Sequence, residues 1–360
     1  MRNEILAVNI GSSSVKLALF RREQGLTLLR EQHDSLPVPK ALRSFLTGEE
    51  SICGVVHRFV HGGSSFLKTT RLTPSVLRAL KKLTPLAPLH LPLELQGVDV
   101  VRALLGSVPQ FATFDTAFHR TMRPEAKQYA LPFRLTEKYG IERFGFHGLS
   151  HHYLAQVYTE EKGKRHKIIT LHMGAGVSLT AIQDGCSVDT SMGFTPTEGV
   201  MMATRSGDVD PGVIAFLSKK RKMDAIYTLL NEASGLKGVS GLSGDMRTLL
   251  RSTTKRAQYA LDLYCYRIAK MVGALMVTLG GVDALLFTGG VGENAAPIRE
   301  KILKELQFLD FHVDPEKNAR QEARVVGVLY PITERNASRT AFVVATHENF
   351  LLARELSKVL

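Results

Sequence analysis

Two arginines stand in settings that an anion could reach. Arg58 lies beside glycines in His57-Arg58-Phe59-Val60-His61-Gly62-Gly63, and Arg205 lies in the polar turn Thr204-Arg205-Ser206-Gly207-Asp208. A planar guanidinium meets carboxylate or phosphate oxygens two at a time, so two loop arginines point to an anionic substrate. Either one alone could equally be half of a surface ion pair. One carboxylate, Asp115, sits inside the apolar string Phe114-Asp115-Thr116-Ala117-Phe118-His119, and His147 opens Phe146-His147-Gly148-Leu149-Ser150-His151. His147 and His151 have a helical metal spacing, but the glutamate of an HExxH motif is missing, so zinc is not indicated and His151 reads as a capping or core residue.

Three short glycine loops add a second chemistry: Gly11-Ser12-Ser13-Ser14, Met173-Gly174-Ala175-Gly176 and Gly289-Gly290-Val291-Gly292-Glu293-Asn294. Such loops expose backbone N–H groups that phosphate oxygens can approach. None matches GxxxxGK[ST], and the first leads into a strand rather than a helix, so the P-loop and Rossmann fingerprints both fail on context. A single Gly-Ser hairpin is ordinarily only a turn. Three, spread over both halves of the chain, argue for a phosphate-bearing ligand.

The elements that must carry these residues follow from periodicity. Residues 5–10 and 15–20 read as two strands joined by the first glycine hairpin, and 168–172 and 177–182 repeat that grammar around the second, which makes an internal duplication a candidate. The third cluster follows the strand 284–287 and precedes an amphipathic segment 297–308, a strand, loop and helix in turn. Helices are expected at 74–83, capped by Thr73 with proline at its first position, and at 148–161, 212–220, 257–279 and 349–360. Alternating strands and helices make an α/β protein. Two facing copies of one α/β unit would set the two hairpins on opposite walls of a cleft, where ligands bind in such architectures. The boundary is expected near Phe114-Asp115-Thr116, with 1–114 plus 350–360 forming one domain and 115–349 the other.

The bulk properties agree. At roughly 100–200 residues per domain, 360 residues make two domains. Hydrophobic residues at 44% and charged residues at 22% exclude a disordered or collagen-like chain. The net charge of +12 suits anionic partners. The densest basic runs, 162–167 and 219–222, lack interleaved aromatics and match no nucleic-acid module, so they read as solvated faces and no nucleic acid is expected. Cys53, Cys186 and Cys265 are odd in number and form no CxxC pair, which suggests a reducing, cytoplasmic location without disulfides. The longest apolar stretch, 272–282, is too short to span a membrane.

In order along the chain, Asn9-Ile10-Gly11-Ser12-Ser13-Ser14-Val15-Lys16, the string 57–63, Leu86-Ala87-Pro88-Leu89-His90, and the strings 114–119, 146–151, 187–193, 204–208 and 289–294 together resemble the acetate kinase family. The resemblance covers residues 5 to about 355. It implies duplicated actin-like ATPase (ribonuclease H-like) domains, a homodimer, and reversible phosphorylation of acetate to acetyl phosphate with ATP as co-substrate and Mg2+ or Mn2+. Residue by residue, it implies metal-associated Asn9 and Glu348, and Lys16 on the nucleotide phosphates. It places His172, Met173, Gly174, Ala175, Gly176, Asp245, Met246, Arg247, Gly290, Val291, Gly292, Glu293 and Asn294 along ATP. Arg58 and Arg205 would hold the carboxylate and the transferring phosphoryl group, with Asp115 and His147 close to the chemistry. Val60, Leu89, Phe146 and Pro196 would form the pocket for the acyl methyl.

Acetate is already ionised near neutral pH, so no general base is needed to create the nucleophile, and an orienting role for Asp115 toward an arginine is expected. The sequence departs from the family pattern in several places. Ala175 stands where the family has asparagine, Leu91 where asparagine precedes the proline, Leu149 where threonine is usual, and His347 where asparagine adjoins Glu348. The stretch between Phe20 and His57 is also short. Propionate or butyrate, another phosphoryl donor, or a degenerate member that only binds nucleotide are the alternatives that these departures leave open.

Overall fold

The computed structural model describes residues 3–11, 14–34, 37–46, 48, 51–88, 90–320 and 325–360. The hairpin serines Ser12 and Ser13 and the expected pocket residue Leu89 lie outside the described residues. Twelve strands are assigned among them: β1 Glu4–Ile10, β2 Val15–Arg22, β3 Leu26–Asp34, β4 Ile52–Phe59, β5 Thr70–Arg71, β6 Gln110–Phe114, β7 Lys167–Met173, β8 Val177–Gln183, β9 Cys186–Thr190, β10 Ala284–Thr288, β11 Tyr330–Pro331 and β12 Thr340–Val343.

They form two six-stranded sheets, ordered β3-β2-β1-β4-β6-β5 and β11-β12-β10-β7-β8-β9. In the first, β1 pairs antiparallel with β2 and parallel with β4, and β4 pairs parallel with β6. In the second, β7 pairs antiparallel with β8 and parallel with β10, and β10 pairs parallel with β12. The same topology therefore occurs twice, as the two glycine hairpins suggest. Each sheet ends in one short antiparallel edge strand, β5 or β11.

Parallel neighbours need crossovers, and helices supply them. Leu91–Leu105 lies between β4 and β6, and Lys255–Leu279 between β9 and β10. Strands β1, β4, β7 and β10 are buried on both faces, which is why they read as nearly continuous apolar runs. The edge strand β3 instead alternates and carries Arg30, Glu31 and Gln32, which guard against pairing with another chain. The first sheet packs one face on a core of Leu6, Val8, Leu17, Val38, Leu42 and Val101, and the C-terminal helix Glu348–Ser357 packs against β1, β2 and β4.

Two expectations change. The segment after β10 is not a loop, because the chain enters the helix Gly289–Asn294 directly and a second helix follows at Ala296–Glu305. Gly289 permits this abrupt turn: its φ is +79°, and a Cβ there would lie 2.8 Å from the Met173 carbonyl oxygen. The compact units also differ from the expected 1–114 plus 350–360 and 115–349. One comprises Met1–Arg120, Phe146–Leu149 and His347–Leu360, and the other Thr121–Gly145 and Ser150–Thr346. The physical reason is local, since Asp115, His147 and Glu348 are all tied to the carboxyl ends of β1, β4 and β6.

Candidate active site

In the first unit, β1, β4 and β6 are parallel, and their carboxyl ends carry the polar residues of the sequence motifs. Arg58, near the end of β4, donates from Nε and Nη2 to Asp115 Oδ1 and Oδ2 at 3.1 and 2.6 Å. Its Nη1 donates to Asn9 Oδ1 at 3.1 Å, and Asn9 Nδ2 donates to Glu348 Oε2 at 2.8 Å. Four residues from four distant sequence positions thus form one hydrogen-bonded chain. Burial works against the Arg58 charge, but the Asp115 and Glu348 carboxylates more than offset it and raise its pKa. Burial pushes the Asp115 carboxyl up while Arg58 pulls it back, and the two-point contact holds the pair as carboxylate and guanidinium. Lys16 stands directly opposite Asn9 in the β1–β2 ladder.

Asp115 also receives the backbone N–H of His147. His147 has φ +56°, a left-handed conformation that is costly for a non-glycine residue and typical of functional sites. Its successor must be glycine, because a Cβ on Gly148 would fall 1.9 Å from the Asp115 carbonyl oxygen. Val60 and Phe146 are buried in this same unit, and Phe146 meets His61 edge to face at 5.6 Å. The Phe146 carbonyl accepts from His119 Nε2 at 3.0 Å. His57, His61 and His119 are held neutral by burial, each with a pKa of about 4.

In the second unit, His172 occupies the register position in β7 that Asn9 occupies in β1, one residue before the strand end. It is hydrogen-bonded to Ser150 Oγ at 2.8 Å. His151 is a core residue, bonded to Thr170 and Ser178 hydroxyls at 2.7 Å. Three sequence motifs meet around one cavity of 570 Å³: Gly174 and Ala175 from the hairpin, Asp245, Met246 and Arg247 from a helix start, and Gly290, Val291 and Asn294 from the helix after β10. Met173, Gly176, Gly292, Glu293 and His172 lie outside its wall. Met173 is fully buried. Glu293 is turned onto the fold, where Oε1 accepts from Gly289 N at 2.9 Å and Thr288 Oγ1 at 3.1 Å.

Arg205 differs from Arg58. Its Nη1 donates to the Pro196 carbonyl at 3.3 Å, and among the described residues it has no carboxylate partner. Burial lowers its pKa accordingly. A partly buried cation without a counter-ion is a place for an anion. Pro196 belongs to this unit, whereas Val60 and Phe146 belong to the other.

The acetokinase family model matches residues 39–354. The chain belongs to the acetokinase family. An acetate kinase of Microcystis aeruginosa is 41% identical over 346 residues, covering 91% of this chain and 84% of that protein. The crystal structure of Porphyromonas gingivalis acetate kinase matches with a TM-score of 0.86 at 36% identity, covering 99% of both chains. That of a propionate kinase from Francisella tularensis matches with a TM-score of 0.87 at 35% identity, covering 98% of both. The chain is therefore a kinase with the duplicated actin-like architecture.

The structure adds supports for these elements that no sequence motif marks. Glu198 accepts from Tyr129 and Arg143, Arg143 also donates to the carbonyls of Thr190, Ser191 and Met192 at 3.2 Å, and Tyr129 Oη accepts from Phe194 N at 2.7 Å. This network holds the segment that leads to Pro196. Arg299, fully buried, donates from Nη1 to the carbonyls of Gly292 and Glu293 and so closes the helix Gly289–Asn294. Glu94, buried in the helix Leu91–Leu105, accepts from Val60 N at 3.0 Å. A charged residue at a buried helical position is the one sequence signal that could have revealed Arg299 and Glu94, and it carries no partner with it.

Proposed function

We propose that the protein catalyses reversible, Mg-ATP-dependent phosphorylation of acetate to acetyl phosphate by direct in-line transfer. The observation that carries this reading is the chain Asp115–Arg58–Asn9–Glu348 at the strand ends. Three N–H groups of Arg58 are committed, which leaves two of its five for an anionic oxygen among the described residues. Asp115 spends both oxygens on Arg58, so it orients that guanidinium rather than moving a proton. In the forward direction an acetate oxygen bonds to the γ-phosphorus as the bond to the ADP oxygen breaks. Arg58, in the first unit, would offset charge spread over the transferring group, and Arg205, in the second, offers its own guanidinium to an anionic oxygen.

The residues fit a magnesium ion that arrives with nucleotide phosphates, since Mg2+ takes one or two protein carboxylates and fills its remaining positions with water and phosphate oxygens. Glu348 supplies the carboxylate and Asn9 holds it in place. When bound, the ion neutralises charge on the phosphate oxygens. The 570 Å³ cavity would take the nucleotide, with Asp245, Arg247 and the Gly290 amide at its rim. Lys16, beside Asn9, would meet the phosphates.

Propionate is the second acid supported, because one methylene changes binding by only about 1–3 kcal/mol and a propionate kinase is among the similar structures. A homodimer is supported by Tyr259, Tyr266 and Val277, which are 63%, 53% and 83% exposed and fall on one face of the helix Lys255–Leu279. We place the protein in the cytoplasm on its three free cysteines. Among the described residues no helix is long and apolar enough to cross a membrane. Trapping acyl phosphate as hydroxamate with acetate, propionate and butyrate, each with ATP and Mg2+, tests the reading. Product with acetate and propionate but little with butyrate is expected, and absence of product with every acid overturns it.

A further inference from the structure

Glu94 is the buried acidic group that the mechanism above does not use. It sits in the first turn of the helix Leu91–Leu105 and is 1% exposed. Its Oε1 accepts from the backbone N–H of Val60 at 3.0 Å, two residues beyond Arg58. Its Oε2 is buried without a hydrogen-bond partner among the described residues. We propose that Glu94 is a positioning residue for the carboxylate substrate: its carboxyl ties Val60 to this helix and so fixes the strand end that presents both Arg58 and the Val60 side chain. The inference rests on the reading of Arg58 and Val60 as acid-binding residues.

The surroundings decide which form of Glu94 does this. Among the described residues the cation whose field reaches it is Arg58, and that guanidinium is already taken at two points by Asp115. Burial therefore pushes the Glu94 carboxyl up to about 8, against the pull of Arg58 and the Val60 N–H and with the Asp115 charge adding to the rise. His57 and His61 on the same strand end stay neutral. Cys53, at the far end of β4, has its thiol pushed above the usual range by burial. Arg43 and Lys81 border a groove with Leu95 and Asp99, other residues of the helix or its neighbours. A neutral Glu94 keeps the hydrogen bond to Val60 and leaves the Arg58 charge to the incoming acid. An ionised Glu94 would compete with that acid for Arg58. The KM for acetate should accordingly rise with pH above about 8, approaching tenfold per unit for one proton, while kcat changes less.

The experiment measures kcat and KM for acetate from pH 6.5 to 9.5 in the wild type, Glu94→Gln and Glu94→Ala, with Tm recorded at each pH. Glu94→Gln keeps an acceptor for the Val60 N–H and cannot ionise, so its KM at pH 7 should stay within about threefold of wild type and lose the alkaline rise. Glu94→Ala loses the tie, and its KM should rise at least tenfold at every pH. A wild-type KM that is flat to pH 9.5, an equal alkaline rise in Glu94→Gln, or a near-normal KM in Glu94→Ala overturns the proposal. Should the wild type phosphorylate no acid at all, the functional reading falls separately. Glu94 is then judged by Tm alone: Glu94→Gln must flatten the decline of Tm between pH 6.5 and 8, and equal slopes overturn the assignment.

Discussion

Arg58 and Arg205 carry the same charge in opposite situations, and the difference is testable. Arg58 is locked to a fully buried Asp115, so Arg58→Ala leaves a carboxylate without its partner. Breaking a buried pair from one side typically costs about 3–5 kcal/mol. Among the described residues Arg205 has no carboxylate to orphan. Both alanine variants should lose turnover by at least about 10²–10³, the usual range for one missing oxyanion donor. Only Arg58→Ala should also show a clearly lowered Tm. Comparable Tm losses in the two, or near-normal kcat/KM in either, would contradict the assignment of roles. Ala175 offers a gain rather than a loss, because it lines the cavity at a position where the sequence resemblance implies an amide. A hydrogen bond to a charged group is worth roughly 1.5–3 kcal/mol, so Ala175→Asn should lower the KM for ATP if its amide reaches a phosphate. An ATP titration at saturating acetate decides it, and an unchanged or higher KM means that the site is built around alanine.

At the scale of elements, two glycines, Gly148 and Gly289, let the chain turn into helices where chemistry is needed. Gly148 opens the helix Gly148–Lys162 against the Asp115 carbonyl, with no room for a methyl group. Gly148→Ala should therefore displace the 3-10 helix Asp115–Thr121 or the His147 backbone, and either movement loosens the Asp115–Arg58 contact. We expect a loss of activity larger than any helix-propensity argument suggests, since Ala is intrinsically the better helix former by about 1 kcal/mol. Steady-state kinetics beside thermal unfolding would show it, and a folded, fully active Gly148→Ala would refute the close approach. Arg299 plays the matching part in the second unit, and Arg299→Leu removes the donors that it gives to the carbonyls of Gly292, Glu293 and Asn318. At about 1–3 kcal/mol per buried unsatisfied group, this variant should be strongly destabilised in thermal unfolding. A Tm within a few degrees of wild type would show that the carbonyls find other donors.

For the whole molecule, the buried titratable groups set how stability depends on pH. His57, His61 and His119 have folded pKa values of about 4 against an unfolded 6.5. Between those values the unfolded chain binds more protons, so stability rises with pH across the window, by up to about 1.4 kcal/mol per unit for each group. Glu94 acts in the other sense. Its folded pKa of about 8 lies above the unfolded 4.5, so from 4.5 to 8 the native state holds the extra proton and stability falls. Three groups outweigh one below pH 6.5, and Glu94 remains above it. Calorimetric Tm values should pass through a maximum near pH 6.5, and a profile rising steadily to pH 9 would contradict these assignments.

The amino-acid sequence was sufficient for the α/β class, the two glycine hairpins, the Thr73 cap and the family, because each rests on residues adjacent in the chain or on local periodicity. Strands buried on both faces announce themselves as apolar runs, and a cap or a hairpin is closed within four residues. Residues that lie far apart in the chain were decided by the tertiary structure alone. The Asp115–Arg58–Asn9–Glu348 chain joins positions up to 339 residues apart, and nothing local states that Arg58 meets a carboxylate while Arg205, among the described residues, meets a backbone carbonyl instead. The turn at Gly289 looked like a loop because glycines usually make one, whereas here the glycine permits a close approach to the Met173 carbonyl that starts a helix. Glu94 and Arg299 escaped for the same reason: whether a buried charge is a burden or a tie depends on which distant backbone groups surround it, and packing rather than sequence spacing brings those groups there.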